Sequence, residues 1–597
     1  MTRIRVNAVG LATVAFVAWM PELKFGMPEL KFGPTYLSAQ GGVVMGQRPG
    51  PRIGPRDNQA PQIGTGRLLG RVVGGDTGMP LRRAIVRLSG QDFREGRVAS
   101  TDEEGRWELK DLPAGRYTLS ASKGGYVQLQ FGQRRPFEQG RPIELGDGQT
   151  LENVNFNLPR GSVIAGRIVD EFGEPVAEAM VAAMRYRYVS GRRRMVPAGR
   201  FAQTDDGGHF RIYGLPPGDY YLSATLRQGP MIGFDNSDNV GGYAPTYYPG
   251  TGSAQQAERV SVGLGAEMSG VTFSLLPVKT VKVSGTVVDS TGRPMAGAFV
   301  MLREDVRTGD GNFMMTMMGG GNRVKDDGSF VVANVAPGDY VVEARPMMMG
   351  PGRRGEDEPE VAFTTLSVAG EDVTGVSLIG TKGTSIRGRV TLQPAASANG
   401  VKPSEISVSA MAQDADAPMM FLGRESRDGV NDDWSFEVRA VQSPVLLRTF
   451  RLPSGYSLKA VLVGGQDVTD RGIAFKPGDA VNGVEVVISA SSSSLSGGVT
   501  DDDGKAVPDY AVVVYAEDRE HWGFMSRHIK LARPDQQGAY QVKDLPAGRY
   551  LAVAVEAVET GEESDPAMLE RLRPLATAFS IAEGEQRALN LKLVRAY

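Results

Sequence analysis

Short runs of alternating apolar and polar residues fill the chain from about residue 67 onwards. In GRVVGGDTGMPLRRAIVRL, which begins at Gly70, two such runs flank a turn rich in glycine and proline. A period of two places successive side chains on opposite faces of a strand, so each run predicts a half-buried strand and each pair a hairpin. Helical periodicity is not apparent in these segments. The pattern therefore predicts an all-β protein.

This opening hairpin recurs at intervals of roughly 95 to 120 residues, a domain-sized period that is longer than a solenoid repeat. It begins again at Gly166, Gly285 and Gly497. A second hairpin follows it, in the segments TDEEGRWELKDLPAGRYTLSA (101–121), TDDGGHFRIYGLPPGDYYLSA (204–224), KDDGSFVVANVAPGDYVVEA (325–344) and PDQQGAYQVKDLPAGRYLAVA (534–554). Two further strands close each unit, which gives about seven strands per unit.

The octapeptide KDLPAGRY occurs at 110–117 and again at 543–550. Its proline fixes φ near −65° and its glycine permits a left-handed residue, as a tight turn requires. The tyrosine then starts a strand, where it can bury its ring and hydrogen-bond its hydroxyl to nearby backbone. The equivalent tyrosines are Tyr117, Tyr220, Tyr340 and Tyr550. We therefore interpret the octapeptide as a turn with a core anchor and not as a ligand site.

Seven short strands per unit, with turns every 8 to 12 residues, are typical of a two-sheet sandwich. The predicted fold is a linear array of about five seven-stranded antiparallel β-sandwich domains of the immunoglobulin-like or prealbumin-like kind. The predicted segments are 1–39 (signal peptide region), 40–66 (Gly/Pro-rich linker), 67–160 (domain 1), 161–280 (domain 2), 281–382 (domain 3), 383–492 (divergent domain 4) and 493–597 (domain 5).

Domain 4 departs from the repeat at three places. Its opening segment, GRVTLQPAASANGVKPSEISVSAMA, lacks the compact first turn. Trp434 stands where the other units have a turn glycine before the core aromatic, here Phe436. The segment RLPSGYSLKAV (451–461) keeps only an abbreviated Pro-x-Gly-Tyr.

The combined pattern, G-x-V-x-D-x-x-G-x-P-x-x-x-A-x-V followed by D-x-x-G-x-[FWY]-x-[LVI]-x-x-[LV]-x-P-G-x-Y, resembles the carboxypeptidase regulatory-like domain. The resemblance covers units 1, 2, 3 and 5 well, unit 4 in part, and none of residues 1–66. It implies a transthyretin-like (prealbumin-like) sandwich, also grouped with starch-binding-like folds. It also implies a non-catalytic module, which accompanies a zinc peptidase in the namesake enzymes and forms tandem arrays in exported bacterial proteins. A resemblance in fold alone says little about activity.

The N-terminus predicts export. Two arginines precede an apolar run within MTRIRVNAVGLATVAFVAWM, and the run is too short to span a bilayer but suits a secretory signal, with cleavage expected near Ala39. A buried strand or helix is the alternative. The chain has no cysteine and a formal net charge of −3, so disulfides are excluded and no long-range field attracts nucleic acid or anionic lipid. No membrane span is expected in the mature chain.

Few residues of the sequence stand in patterns typical of catalysis or metal binding. We therefore predict no enzyme, no catalytic or cofactor-binding residues and no metal site. A zinc carboxypeptidase needs His-x-x-Glu spacing, which His209, His521 and His528 do not provide. His521 and His528 share one variable loop with Glu520, where we interpret them as ordinary polar loop residues.

Two methionine-rich stretches, 311–323 and 345–355, offer soft thioether ligands that suit Cu(I). Alternating strand direction places them at opposite ends of the sandwich, which disfavours one shared site. An adaptable contact surface is the favoured interpretation.

One long loop, 229–253, interleaves Phe234, Tyr243, Tyr247 and Tyr248 with glycine, asparagine and proline. Aromatic rings on a polar loop can stack on sugars, and these four residues are the predicted ligand-binding set. The alternative is that the rings fold back as the loop's own small core.

The sequence therefore predicts an exported, non-catalytic scaffold, adhesion or carbohydrate-binding protein of the cell envelope. It is expected to be secreted, periplasmic or on the cell surface, with a polysaccharide or cell-surface protein as partner. The alternatives are an accessory chain of a peptidase and a Cu(I)-binding protein.

Overall fold

The chain folds as a succession of β-sandwiches. A computed structural model describes residues 64–595, except for 91–92, 136, 190–191, 227–241, 306–320, 347–359, 395–400, 414–429, 441–442, 451, 454 and 477. The predicted signal region and residues 40–63 of the predicted linker lie outside these described residues, as do Phe234 and most of both methionine-rich stretches, whereas Gly66, the last residue of that linker, begins the first strand.

The strands fall into five consecutive groups, named sandwiches 1 to 5. Sandwich 1 has β1 Gly66–Gly74, β2 Ile85–Gly90, β3 Phe93–Ser100, β4 Arg106–Leu112, β5 Gly115–Ser122, β6 Leu129–Gln130, β7 Ile143–Leu145, β8 Thr150–Leu151 and β9 Phe156–Leu158. Sandwich 2 has β10 Ser162–Val169, β11 Met180–Val189, β12 Arg192–Pro197, β13 Ala202–Gln203, β14 His209–Leu215, β15 Gly218–Thr225, β16 Gly242–Ala244, β17 Thr246–Tyr247, β18 Val260–Val262, β19 Glu267–Ser274 and β20 Leu276–Val278. Sandwich 3 has β21 Val281–Val288, β22 Ala298–Glu304, β23 Gly321–Arg323, β24 Ser329–Val335, β25 Gly338–Pro346, β26 Ala362–Val368 and β27 Val373–Ile379.

Two further groups complete the described chain. Sandwich 4 has β28 Thr384–Gln393, β29 Ser407–Ala412, β30 Ser435–Ala440, β31 Val445–Phe450, β32 Ser457–Val463, β33 Gln466–Asp467 and β34 Ala480–Ser489. Sandwich 5 has β35 Ser494–Gly497, β36 Val499–Thr500, β37 Ala511–Ala516, β38 Lys530–Ala532, β39 Tyr540–Lys543, β40 Gly548–Val555, helix α1 Pro566–Leu572, β41 Thr577–Ile581, β42 Gln586–Ala588 and β43 Leu591–Val594. The all-β sandwich prediction is confirmed.

Each sandwich encloses its own hydrophobic core. Five large clusters of buried residues draw their members from 68–158, 164–275, 281–378, 386–488 and 495–591, and each range lies inside one of the five domain segments delimited from the sequence. With no disulfide in the chain, burial of these apolar side chains is the main source of stability.

Strand pairing is mixed and not purely antiparallel. In sandwich 1, β1 pairs antiparallel with β4 and parallel with β8 and β9, while β2, β3, β5, β6 and β7 form the facing sheet. The same parallel pairing joins β10 to β19, β21 to β27 and β28 to β34. In sandwiches 1 to 4 the first strand therefore pairs in parallel with a strand from the C-terminal end of its own unit.

The opening glycine of each unit lies directly against a backbone carbonyl of the segment that runs beside the first strand. A Cβ on Gly70 would lie 2.0 Å from the carbonyl oxygen of Val154, and one on Gly285 would lie 1.9 Å from that of Val376. Gly166, Gly388 and Gly497 meet an equivalent carbonyl at 1.7, 1.9 and 2.0 Å. Only a residue without a side chain fits at this position.

Helix α1 is an element that strand periodicity did not predict. Asp565 caps its N-terminus by accepting hydrogen bonds from the backbone N–H groups of Ala567 and Met568, and Pro566 occupies the first turn. Met568, Leu569 and Leu572 are buried in the core of sandwich 5. The helix is therefore an insertion of that sandwich, held by its apolar face.

Sandwich 5 contacts sandwich 1 through a buried ion network. Arg533 is fully buried and pairs with Glu138 of sandwich 1 and, at 2.6 Å, with Asp509 of its own sandwich. Arg134 also binds Asp509, at 2.8 Å. Burial lowers the pKa of Arg533 to about 10. The two carboxylates are thus needed to keep a charged guanidinium in the interface.

Sandwich 2 joins the same interface. Its Arg185 pairs with Glu559 of sandwich 5 at 2.9 Å and lies 4.0 Å from the ring centroid of Phe137 of sandwich 1. The backbone N–H of Thr560 donates to the Phe137 carbonyl at 3.0 Å. Sandwiches far apart in sequence are therefore neighbours in space.

In the part of the chain that the structure describes, no helix combines the length and apolar character needed to cross a membrane.

Candidate functional site

The predicted aromatic ligand-binding set is largely used in packing where the structure describes it. Tyr247 is 3% exposed and belongs to a small second core of sandwich 2, with Met184 and Met195. The ring of Tyr248 packs edge-on against Phe273 at 5.9 Å. Tyr243 is half-buried.

The Tyr243 hydroxyl donates to Glu171 at 2.8 Å, and its pKa is raised to about 12 by burial and by this hydrogen bond. Of the three residues of the set that the structure describes, Tyr243 and Tyr248 are therefore the two that are half-buried and not fully buried. Their role in binding stays a prediction.

The corner tyrosines adopt the predicted arrangement. Their hydroxyls donate to the carbonyl four residues earlier, from Tyr117 to Pro113 (2.7 Å), Tyr220 to Pro216 (2.5 Å), Tyr340 to Ala336 (2.9 Å) and Tyr550 to Pro546 (2.8 Å). Their rings lie in the cores, three of them buried and that of Tyr340 half-buried. The repeated motif thus serves the fold, as the sequence predicts.

In sandwich 5 the corner tyrosine contacts another titratable side chain. The Nδ1 atom of His528 lies 2.8 Å from the Tyr550 hydroxyl, and the His528 ring stacks against that of His521, with centroids 4.2 Å apart. On its other side, His528 Nε2 lies 3.3 Å from Oδ2 of Asp470. Ligand atoms of Asp470, His521 and His528 all lie within 4.8 Å of one another. We call these three residues the histidine–aspartate cluster.

Two sandwiches supply the cluster. Asp470 follows β33 of sandwich 4 in a turn where Asp467 accepts a hydrogen bond from the backbone N–H of Thr469 at 2.9 Å. The two histidines come from the loop between β37 and β38 of sandwich 5. In this loop Asp518 caps a short 3-10 turn, Arg519–His521, by accepting from the N–H of Glu520. Local turn chemistry therefore sets where each ligand atom lies.

Arginines hold Asp470 in place. Arg527 donates to both carboxylate oxygens, at 3.1 Å from Nε to Oδ1 and 2.8 Å from Nη2 to Oδ2. Arg448 of sandwich 4 lies 3.5 Å from Oδ1 and also donates to the carbonyl of Thr469 at 2.8 Å. The bidentate contact of Arg527 fixes the orientation of the Asp470 carboxylate.

Burial and pairing act on the titration of the cluster. Burial lowers the pKa of His528, while the adjacent carboxylate of Asp470 opposes that change. Burial acts to raise the pKa of Asp470, but the interactions of its carboxylate with His528 and Arg527 outweigh it, so this pKa lies well below its usual range. Asp470 is therefore a carboxylate at neutral pH.

The cluster borders a cavity of about 350 Å³ in sandwich 5. The cavity is lined by Ala516, Glu517, Asp518, His521, His528, Ala547, Gly548, Arg549 and Tyr550. His521 is half-buried and faces it, whereas His528 is 7% exposed. Imidazole nitrogens and a carboxylate beside an open cavity are groups that can bind a transition metal.

The sequence placed His521 and His528 in one loop but interpreted them as polar residues. Asp470 escaped notice because it lies in another sandwich, and no spacing rule links it to the loop. The only available signal was that two of the chain's three histidines occur within eight residues.

Comparisons with known proteins support the resemblance for the first unit. Residues 67–159 match the family described as the carboxypeptidase regulatory-like domain. No curated protein matches the chain at a significant level.

Among solved structures, the chain is similar to the TIE protein of Bacillus anthracis, at 13% identity, covering 72% of this chain and 74% of that one with a TM-score of 0.13. It is similar to GBS52, a minor pilin of Streptococcus agalactiae, at 15% identity over 36% and 97% of the two chains with a TM-score of 0.21. Two B repeat units of the collagen-binding protein of Staphylococcus aureus match at 11% identity over 67% and 93%, with a TM-score of 0.13. TM-scores of this size assign no function.

Proposed function

We propose that the protein is an exported, non-catalytic scaffold that presents the variable loops of its sandwiches to a macromolecular partner at the cell envelope. The observation that supports this is that the repeated glycines and tyrosines serve packing and backbone hydrogen bonding within the sandwiches. The opening glycines permit close strand contact, and the corner tyrosines bind backbone carbonyls, so the repeated signature is explained by the fold. Variation between units is concentrated in the loops, which is where such folds bind.

Contacts between sandwiches support the same proposal. Sandwich 5 is held to sandwiches 1 and 2 by the Arg533 network and by Arg185, and to sandwich 4 by Arg527 and by Lys459, which pairs with Glu583 at 2.8 Å. The Arg533 network is buried and costs much to separate, so it restrains sandwich 5 relative to sandwich 1, whereas the more exposed Lys459–Glu583 pair contributes less. Restrained loops bind a partner with a smaller loss of entropy.

Carbohydrate is the proposed ligand class, through the half-buried rings of Tyr243 and Tyr248. The test is binding of the purified full chain to an array of defined polysaccharides, comparing wild type with Tyr243→Ala plus Tyr248→Ala. Tyr213→Ala is the matched control, because Tyr213 is 40% exposed on the same sandwich. We expect the double variant to lose binding and the control to keep it.

Unchanged binding by the double variant would remove this loop from consideration. Peptide hydrolysis by the purified chain that a chelator abolishes would overturn the non-catalytic proposal.

A second candidate is an accessory chain of a peptidase, favoured by the family match of residues 67–159. It predicts stoichiometric copurification with a separate catalytic chain, whereas the scaffold proposal predicts that the protein purifies without peptidase activity.

A further inference from the structure

The histidine–aspartate cluster contains a hydrogen-bonding conflict that a proton or a metal ion must resolve. The Tyr550 hydroxyl donates its one hydrogen to the Pro546 carbonyl, which can only accept. The same hydroxyl must therefore accept at its 2.8 Å contact with His528, so Nδ1 of His528 carries hydrogen. The three other corner tyrosines make the same bond to backbone, which supports this assignment.

This assignment determines the protonation of the other ring nitrogen of His528, Nε2. In the neutral ring, Nε2 then has a lone pair, and it points at Oδ2 of Asp470, 3.3 Å away, which is also an acceptor. Two acceptors at this distance repel unless a cation lies between them. His528 is 7% exposed, so water has little access to separate the two atoms.

We propose that Asp470, His521 and His528 bind one divalent transition-metal ion of the zinc class, which links sandwich 4 to sandwich 5. Zinc takes imidazole nitrogen and carboxylate oxygen at about 2.0–2.2 Å, which places neighbouring ligand atoms of a tetrahedral site about 3.3 Å apart. The separation of His528 Nε2 from Asp470 Oδ2 already has this value. The half-buried His521 reaches the ion by a side-chain rotation, since its ligand atom lies within 4.8 Å of the others.

The surroundings of the cluster fit this assignment. Metal-binding histidines commonly donate their other N–H to a fixed acceptor, and the Tyr550 hydroxyl has that position for His528. Arg527 and Arg448 orient the carboxylate of Asp470, and an oxygen that accepts from an arginine retains a lone pair for the metal.

The charges around the cluster include both signs. Arg527 and Arg448 carry positive charges, which are opposed by the carboxylate of Asp470 and by Glu517 and Asp518 of the cavity lining. Glu517 is itself paired with Arg549 at 2.7 Å. The cavity leaves a fourth coordination position for water.

Metal binding by the full chain is the test. The chain is freed of metal with a chelator and titrated with Zn²⁺ by calorimetry, and Co²⁺ is added separately because its visible absorption reports the coordination geometry. We expect one equivalent of metal per chain. His521→Ala and Asp470→Asn should weaken binding by more than about 100-fold, beyond the roughly 10- to 100-fold expected for Tyr550→Phe, which removes only a positioning partner.

The matched control is His209→Ala. His209 lies 3.2 Å from Asp205 on an exposed turn and has no second histidine beside it, so this variant should bind zinc as the wild type does. Because His521 is half-buried in a loop, His521→Ala is expected to fold, which circular dichroism checks.

Three outcomes would overturn the proposal. The first is the absence of saturable zinc binding by the wild-type chain. The second is stoichiometric binding that survives both His521→Ala and Asp470→Asn. The third is an NMR spectrum of the metal-free chain, unchanged by added Zn²⁺, in which both ring nitrogens of His528 carry hydrogen at pH 7, because a proton alone then resolves the conflict.

Discussion

Replacing the opening glycine of sandwich 1 by alanine tests the packing rule that all five units share. A Cβ on Gly70 would lie 2.0 Å from the Val154 oxygen and 2.5 Å from its carbonyl carbon, against about 3.4 Å for ordinary contact. Both atoms are backbone, so no flexible side chain can move aside. The strands β1 and β9 must therefore separate by roughly 1 Å or more, which overpacking studies associate with 1–3 kcal/mol.

Separation also weakens hydrogen bonds that flank the glycine. The N–H of Val154 donates to the Leu69 carbonyl at 3.1 Å, and the N–H of Arg71 donates to the Asn155 side chain at 2.8 Å. Each is worth about 1 kcal/mol. The total cost of Gly70→Ala is then about 3–5 kcal/mol, a large share of the roughly 5–15 kcal/mol that stabilises a domain.

The assay is hydrogen exchange at the amides of β1 and β9, combined with calorimetry of the full chain. For a domain of this size, 3 kcal/mol lowers the unfolding temperature by about 12 °C or more. Gly124→Ala is the control in the same sandwich, because no atom lies within 4 Å of its Cβ position and its φ lies outside the left-handed region. We expect the control to be neutral or slightly stabilising.

A Gly70→Ala variant whose stability lies within about 0.5 kcal/mol of the wild type would refute the reasoning. It would mean that the two strands separate without cost, and that the five glycines are retained for another reason.

Three further perturbations address other features of the chain. Asp111 has a φ of 58°, so Asp111→Val should lower the free energy of unfolding by about 1–2 kcal/mol, because it forces a β-branched residue into the left-handed region. The control, Lys110→Val beside it, should leave the thermal unfolding temperature unchanged. Arg533→Ala should cost about 3–5 kcal/mol and expose the interface between sandwiches 1 and 5 to hydrogen exchange, because it removes the arginine that pairs with buried Glu138 and one of the two that pair with Asp509. Arg135→Ala, which breaks an exposed pair at the same interface, should cost less than about 1 kcal/mol. Hydrogen bonds from Thr291 and Arg293 hold the pKa of Asp289 well below its usual range, so its contribution to stability is complete above about pH 3.9 and declines as the pH falls from there towards the lowered pKa. Asp289→Asn should lower the denaturation midpoint of sandwich 3 at pH 7 and should lower it less at pH 3, and an equal effect at both pH values would contradict this.

Local sequence was sufficient for most of the fold because the sandwich is specified by short-range signals. Alternation of period two determined the strands, and the turn prolines and glycines determined the hairpins. Tyr117, Tyr220, Tyr340 and Tyr550 could be assigned a hydroxyl bond to nearby backbone, because the acceptor lies only four residues away. Helix α1 was missed, although Asp565 followed by Pro566 is a recognisable helix start, because seven residues are too few to show a helical period.

Tertiary structure alone decided which distant residues meet. The parallel pairing of first and last strands explains the opening glycines, but a carbonyl roughly 80 or more residues away leaves no local trace in the sequence. The contacts of sandwich 5 with sandwiches 1 and 2 depend on single charged residues such as Arg533 and Glu138, which resemble surface residues when read along the chain.

The histidine–aspartate cluster shows the same division. The sequence determined that His521 and His528 share a loop, and the repeat determined that Tyr550 would turn its hydroxyl to backbone. Only the packing of sandwich 4 on sandwich 5 brought Asp470 to His528. Hydrophobic periodicity encodes which face of a strand is buried, but the partner that a polar side chain meets depends on the relative placement of whole domains, which no local pattern records.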